Sequence, residues 1–572
     1  MNDIRRTILW VIFGFTLVLL WDKWQVHNGN KATFFPTPPA ATAQASEAGK
    51  PAATDASVPA ASAAAASPSA VPGAEPAAAE APAAPREDVV VSTDVLRLTF
   101  DSQGAKLKHA ELLQYADSQD KSRPFVLFDE SVHRVYQAQS GLIGGAFPTH
   151  KTPMNVLPGA RELKEGEDQL QLRFESAEQG GVKLATTWTF KRGAYDMGVR
   201  HEVINNGSAA VSPQLYVQLV RDGNKPEGEQ TTMYSTFTGP AVYTDEKKYQ
   251  KVEFKDIENG KASVEKTSST GYVAMVQHYF ASAWLLPEGT AHDNFVRKVD
   301  NNLYAVGSIA SLGQIEPGHT KSLDARLFAG PQIEKKLQLL SPGLELVKDY
   351  GMFTILAKPM YWLLDKLHSF LGNWGWSIVA LVLLLKIAFY WLNAKAYSSM
   401  AKMKAINPKI QEMRERLKDK PQQMQQEMMR IYREEKVNPM GGCLPILVQI
   451  PVFMTLYWVL LSSVEIRNAP WIGWITDLSA KDPYFILPVL MTLSSLLQTA
   501  LNPAPPDPMQ AKMMWIMPLV FSVMFFFFPA GLVLYWLTNN ILSIAQQWII
   551  NTRMGVPPQF NLPKFGKADA GK

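Results

Sequence analysis

Two spacings of apolar residues divide the chain. Between Asp88 and about Gly330 they alternate: Leu96, Leu98 and Phe100, then Leu170, Leu172 and Phe174, then Val182, Leu184, Thr186, Trp188 and Phe190. Met197, Val199 and Val203 follow, then Leu215, Val217 and Leu219. Period two in short runs, broken by turn signals such as Asn205-Asn206-Gly207, predicts half-buried strands. Roughly 240 residues of this pattern, with little helical periodicity, predict a β-sandwich.

After about residue 350 the apolar residues become continuous. Trp374 to Trp391 is apolar except for Lys386; Leu444 to Leu461, Tyr484 to Leu501 and Met513 to Ile550 follow, the last broken by Pro529-Ala530-Gly531. Near the N-terminus Ile8 to Trp21 is apolar between Arg5-Arg6 and Asp22-Lys23. That run is short for a membrane span, which takes about 17–25 residues, so a cleaved signal peptide competes with an anchor. The small-residue triplet Ala41-Thr42-Ala43 lies far beyond the run, and Trp21 and Trp24 suit an interfacial belt, so a retained anchor is favoured.

Charge sets the parity of the spans. Lys395 to Lys436 carries eleven Lys and Arg residues, and Arg5-Arg6 and the tail (Arg553, Lys564, Lys567, Lys572) are also basic. Positive loops stay cytoplasmic, so loop and tail must be separated by an even number of spans. This selects a hairpin at Pro529–Gly531 and predicts a polytopic α-helical membrane protein of six spans, both termini cytoplasmic, with the β domain outside. The expected segments are an anchor (1–24), a linker (25–87), the β domain (88–335) and an interfacial helix region (336–372). Spans at 373–393, 441–461, 484–501, 513–528 and 530–550 follow. Between and after them come a cytoplasmic hairpin (394–440), an outer loop (462–483), a cytoplasmic loop (502–512) and a tail (551–572). Several spans are short, and a bundle of short helices thins the bilayer around it.

The linker is low in complexity, with 23 Ala and 10 Pro between Ala32 and Arg86, and reads as a disordered tether. Tyr361, Trp362, Leu364, Leu367 and Phe370 fall near helical spacing; the helix they predict lies either on the outer membrane surface or against the β domain. In the basic loop, Met403, Ile406, Ile410, Met413 and Leu417 step by 3, 4, 3, 4, and Met424, Met428 and Ile431 continue beyond Asp419-Lys420-Pro421. A two-helix hairpin with a methionine-rich seam results. Methionine there either packs the seam or offers an adaptable surface to apolar partners.

Net charge is only +4 and gives no footprint for nucleic acid. One cysteine, Cys443, excludes a disulfide framework and cysteine-ligated metal, and the nine histidines make no metal-binding spacing. No nucleophile–base set, phosphate-cradling loop or dinucleotide fingerprint occurs, so neither catalysis nor a cofactor is expected. Lys386 is the residue that carries chemistry. It sits near mid-membrane, where a charge costs about 2.5–3.5 kcal/mol and normally faces a bundle interior or a water-filled cavity. The alternative is snorkelling along its stem. Gln449, Thr492, Ser494, Ser495, Gln498, Asn539, Asn540 and Gln546 are polar candidates to surround it. The spans hold no Asp or Glu, which disfavours proton-coupled transport. A hydrated, positively charged cavity that eases an acidic polypeptide segment across is the reading that remains. Two rivals are a small-solute transporter, which predicts coupling carboxylates and inverted repeats, and a membrane-tethered sugar-binding or epimerase-like β domain.

The run Asn438 to Phe453 (NPMGGCLPILVQIPVF), the loop Asp477 to Tyr484 (DLSAKDPY) and the turn Phe528 to Trp536 (FPAGLVLYW) resemble the YidC family of membrane-protein insertases, in its Gram-negative form, over essentially the whole chain. The resemblance implies a five-helix core around a hydrophilic groove open to cytoplasm and lipid, and a periplasmic β-supersandwich. It implies that Lys386, where members usually carry arginine, attracts the client's extracytoplasmic segment. Gln449, Ser494, Gln498, Tyr535, Trp536 and Asn539 would line the client groove, and Met403, Met413, Met424 and Met428 would serve client capture on the hairpin. Val382 stands where threonine is usual, and Tyr535-Trp536 where a tyrosine pair is common. The implied partners are nascent membrane proteins, the Sec translocon, the ribosome and signal recognition particle pathway, and membrane lipids, in the bacterial inner membrane. No metal or other cofactor is implied.

Overall fold

The computed structural model describes residues 57–61, 86–226, 236–417, 420–435, 444–502, 508–553, 555 and 560. The expected N-terminal anchor, most of the linker, Cys443 and most of the tail lie outside the described residues.

The alternating region forms two nine-stranded sheets. The first runs, in spatial order, Asp88–Ser92, Leu96–Asp101, Lys106–Ala116, Pro124–Glu130, Val135–Ile143, Gln214–Asp222, Leu303–Ser311, His292–Asp300 and Thr267–Ser268. The second runs Lys248–Lys251, Gly239–Thr244, Tyr272–Val276, Phe280–Leu285, Thr320–Pro331, Asp196–Asn205, Val182–Lys191, Gln169–Ser176 and Met154–Val156. Neighbouring strands pair antiparallel, as Leu219 opposite Ala138 and Trp188 opposite Val199 illustrate. Side chains alternate across each strand, so the apolar sets seen in the sequence point into the space between the sheets. Phe100 of the first sheet lies 4.8 Å from Trp188 and 6.0 Å from Phe174 of the second, at tilted angles that suit aromatic quadrupoles. Leu98, Phe100, Phe174, Leu219 and Leu327 are fully enclosed in this core.

Several strands depart from the one-face pattern, among them two neighbours in the first sheet: Val135–Ile143 is buried at eight of nine positions and Gln214–Asp222 at all nine. Their second face is therefore covered as well, in part by residues 57–61 of the linker.

The C-terminal part is helical: α1 (Thr354–Leu371), α2 (Trp374–Ala388), α3 (Tyr390–Arg416), α4 (Pro421–Glu434), α5 (Leu444–Ser462), α6 (Ile486–Leu501), α7 (Pro508–Phe525) and α8 (Ala530–Arg553). Ala357, Tyr361 and Leu364 of α1 are buried in one core with Trp374, Ile378, Leu456 and Val459, while Ile355, Trp362 and Phe370 stay exposed. The buried stripe of α1 thus belongs to the helical core. The apolar run that starts at Trp374 does not continue as one straight helix to residue 393. Phe389 adopts φ −91°, ψ 10°, and the chain bends by 62° there. Among the described residues no single helix is long and apolar enough to cross a membrane; the bent pair Trp374–Ala388 with Tyr390–Ser399 qualifies by length and composition. The break at Pro529 separates α7 from α8, as proline at a helix start favours.

In the hairpin, Ile406, Ile410 and Met413 of α3 are buried against Leu417, Met424, Met428 and Ile431. Pro421 opens α4, as expected of a residue whose missing N–H would be unpaired there anyway.

Candidate functional site

The site is built around α8, whose sequence places polar residues at 539, 540, 543, 546 and 547. At 3.6 residues per turn these make two adjoining stripes, 539-543-546 and 540-547. The second stripe meets α6: the Asn540 amide donates to Ser494 Oγ (3.1 Å) and Ser495 Oγ (2.8 Å), and Gln547 donates to Asn502 Oδ1 (3.2 Å). The first stripe meets α2 and α3. Lys386 Nζ donates to Ser543 Oγ at 2.6 Å, Ser543 Oγ donates to the Asn539 carbonyl at 2.7 Å, and Asn393 donates to Gln546 Oε1 at 3.1 Å.

Lys386 stands in the last turn of α2, where the helix dipole favours a cation. It lines a recess of about 440 Å³, counting the space at its mouth, together with Asn393, Gln449, Tyr535 and Asn539. Val382, Leu385, Phe389, Leu392 and Val452 supply the apolar wall. Gln449 hydrogen-bonds the Tyr535 hydroxyl. Among the described residues no carboxylate pairs with the Lys386 ammonium, so its charge is answered by a hydroxyl and by whatever enters the recess. Such a half-buried cation can hold an acidic or carbonyl-rich segment, and the described residues that line the recess with it include no carboxylate or histidine to act as its base. The described residues contain no cluster of three or more His, Cys, Asp or Glu able to hold a metal.

Of the groove residues expected from the sequence, the structure brings together Lys386, Gln449, Tyr535 and Asn539. Ser494 instead serves the contact of α6 with α8, donating to the Met491 carbonyl and accepting from Asn540. Gln498 is half-buried on the same helix and is not among the lining residues. Trp536 packs edge-on against Phe453 at 4.6 Å and beside Phe525 at 5.2 Å, within the helical core. Met413 is buried in the hairpin seam and Met424 and Met428 are half-buried beside it, whereas Met429 is exposed. The Met403 side chain lies outside the described residues. Ser543, the hydrogen-bond partner of Lys386, was not singled out by the sequence; its place one helical turn after Asn539 was the available signal.

One end of the bundle is closed by the loop between α5 and α6. The N–H groups that open α8 donate into it, Ala530 to the Ala480 carbonyl (2.7 Å) and Gly531 to the Leu478 carbonyl (2.8 Å). A side chain at 531 would place its Cβ 3.1 Å from that Leu478 oxygen, which explains glycine there. Asp482 caps α6, accepting from the Leu487 and Tyr484 N–H groups and from the Trp474 indole. Trp471 lies over Gly375 so closely that a Cβ there would stand 2.2 Å from its ring.

Outward, the helices present apolar side chains to their surroundings: Leu383, Leu384 and Ile387 on α2, Leu490, Leu493 and Leu497 on α6, Ile516, Val520 and Phe521 on α7. So broad an exposed apolar surface marks a lipid or protein contact.

A polar joint ties the β domain to this bundle. His278 Nε2 meets the Leu461 carbonyl at 2.8 Å, and burial pushes its pKa down to about 4. Lys348, whose side chain is fully enclosed, lies 3.3 Å from Glu465 and 3.8 Å from the centre of the Tyr361 ring. The Tyr361 hydroxyl donates to the same Glu465 carboxylate at 2.5 Å; burial and that carboxylate raise the phenol pKa strongly. Arg467 lies over Phe125, Tyr279 and Phe280, and burial lowers its pKa.

Residues 88–363 match the family described as the YidC periplasmic domain, and residues 366–556 that described as the 60Kd inner membrane protein. The chain is 56% identical over 553 residues to the membrane protein insertase YidC of Cupriavidus metallidurans, covering 97% of this chain and 98% of that one. It is 51% identical over 571 residues to the protein of the same name from a Janthinobacterium species, covering 97% and 100%. Among solved structures, an active YidC insertase with its first transmembrane domain resolved is similar over 80% of this chain and 91% of that chain, with 20% identity and a TM-score of 0.37.

Proposed function

We propose that this chain, which belongs to the YidC family of membrane protein insertases, inserts and folds membrane proteins through the recess around Lys386. The observation that carries the reading is a half-buried ammonium that has no carboxylate partner among the described residues, in a polar recess between helices whose outer faces are apolar. The cation draws the acidic or polar extracytoplasmic part of a client into the recess, while the client's apolar segment lies along the exposed faces of the neighbouring helices. Burial of that segment in lipid, about 25 cal/mol per Å², drives the transfer, so the chain needs no nucleotide and acts as a chaperone rather than an enzyme.

The arrangement we infer has six spans in the bacterial inner membrane, both termini in the cytoplasm and the β domain in the periplasm. The anchor is the run Ile8–Trp21; the bend at Phe389 then carries α3 from the membrane into the cytoplasmic hairpin. The closed end formed by Trp471, Leu478 and Gly531 faces the periplasm, and the recess opens to the cytoplasm and to lipid. The helices are short, α2 rising only about 22 Å at 1.5 Å per residue against about 30 Å of hydrocarbon, so the bilayer thins around the bundle. The hairpin offers Met424, Met428 and exposed Met429 to arriving clients, and the Sec translocon, ribosome and signal recognition particle are the partners expected to deliver them.

The test is reconstitution of the purified full chain into liposomes, with a two-span client that has an acidic translocated loop. The expected result is protease protection of the loop above that in empty liposomes. Background protection with a folded chain would overturn the reading of the protein as an autonomous insertase.

A further inference from the structure

The second face of the first sheet carries a small, finished binding site outside the helical bundle. Gln218 is fully enclosed on the strand Gln214–Asp222. Its amide nitrogen donates to the Ser57 carbonyl at 3.1 Å and to Gln139 Oε1 at 2.8 Å, and its oxygen accepts from Arg297 Nη2 at 3.2 Å. Gln139 in turn donates to Gln137 at 3.0 Å. Arg297 donates to the Ser57 carbonyl at 3.0 Å and the Val58 carbonyl at 3.2 Å. Each of these contacts to residues 57 and 58 is made to a backbone carbonyl, so the site holds the path of the chain, which turns at Ser57 and bends at Val58, rather than a particular polar side chain.

Apolar contacts supply the specificity. Val58 packs against the buried cluster of Ile143, Tyr216 and Ile309, as Phe295 does, and Pro59 is buried. Gly307 lies opposite both Gln218 and Phe295 across the sheet, and a Cβ there would stand 2.5 Å from the Phe295 ring. Its absence leaves room for that ring, over which the Arg297 guanidinium lies 5.4 Å from the ring centre. Proline at the third position needs no hydrogen bond for its nitrogen, and it favours an extended residue before it. Serine, valine and proline at 57–59 thus meet a carbonyl clamp, an apolar pocket and a slot with no donor to satisfy.

We propose that this cradle is a peptide-binding site for short Val-Pro segments, and that its resident ligand is the chain's own linker at Ser57-Val58-Pro59. Seated, the strap fixes residues 57–59, the middle of the linker, to the β domain, so that residues 25–56, about half of the linker, are the stretch of sequence between this point and the N-terminal apolar run. The same linker holds a second Val-Pro pair, Val71-Pro72.

The test places a spin label at exposed Ala60 of the full chain in detergent, with Cys443→Ser as background. The native chain should give an immobilised spectrum. Val58→Asp, which alters the strap and leaves the sheets intact, should abolish the immobilised component; Arg297→Gln should do so independently, with the β domain's thermal midpoint read alongside. A synthetic peptide of residues 54–62 should displace the strap and narrow the native spectrum at about millimolar concentration, the effective concentration of a short tethered segment. Three results would each overturn the proposal: narrow lines from the native chain, an unchanged spectrum in Val58→Asp, or no effect of the peptide.

Discussion

Replacing Lys386 tests how much of the insertion barrier the groove charge removes. The ammonium reaches Ser543 at 2.6 Å and has no carboxylate partner among the described residues, so a client carboxylate entering the recess gains a charge-assisted hydrogen bond without displacing an existing ion pair. Hydrogen bonds to charged groups contribute about 1.5–3 kcal/mol net. At 1.4 kcal/mol per tenfold, Lys386→Ala should slow insertion of a client with an acidic translocated loop by roughly ten- to a hundredfold. A client whose loop is neutral should change by less than about threefold, because it loses polarity in the recess but no ion contact. Lys386→Arg keeps the charge and should stay near the native rate for both. The assay is the initial rate of loop protection in proteoliposomes, with client charge as the only variable. Equal loss for acidic and neutral loops, or no loss for either, would refute the charge argument and leave thinning and the apolar helix faces as the source of catalysis.

Further outcomes follow from the joint, the core and the closed end. Glu465→Gln leaves the enclosed Lys348 ammonium without its counter-ion, which should cost about 3–5 kcal/mol and appear as early release of the β domain in differential scanning calorimetry. His278 and His201 are held by burial at about 4, below their usual 6.5, so the unfolded chain binds protons more readily than the folded one. Stability is therefore complete above about pH 6.5 and declines as the pH falls towards 4, a slope in the thermal midpoint that His278→Gln with His201→Gln should flatten. Trp188→Ala empties the centre of the sandwich beside Phe100 and Trp284 and should cost about 3–5 kcal/mol by chemical denaturation. Gly375→Ala drives a methyl group into Trp471 and should increase accessibility of the closed end to water-soluble thiol reagents at cysteines introduced there.

The β domain was legible because a two-sheet core demands alternation, and the sets beginning at Leu96, Leu170, Val182, Met197 and Leu215 are the residues enclosed in it. Alternation says nothing about a second covered face, so the pattern of Gln214–Asp222 predicts a strand but not its full burial, and the Ala- and Pro-rich sequence around Ser57–Pro59 predicts a tether but not a strap. Lys386 stood out because a charge in an apolar run is costly. Ser543 did not, since a serine in a helix is unremarkable until geometry shows which stripe it joins. Asn539, Asn540 and Gln546 were recognised as polar candidates, but their division between α6 and α2 depends on the rotation of α8. The joint of His278, Lys348 and Glu465 unites positions far apart in sequence, and no local pattern announces it. The bend at Phe389 was hidden for a related reason: hydropathy continues through it although the helix axis does not.

Cross-linking reads directly whether clients pass through the recess around Lys386. Site-specific photo-crosslinkers placed at Leu385, Val452 and Asn539, with Leu519 on the exposed face of α7 and Thr187 on the outer face of the β domain as controls, test it on the full chain with a ribosome-stalled client carrying an acidic loop. Passage through the recess should give adducts between the client loop and the three recess positions, weakened by Lys386→Ala. Loop adducts confined to Leu519 or Thr187, with none in the recess, would contradict it.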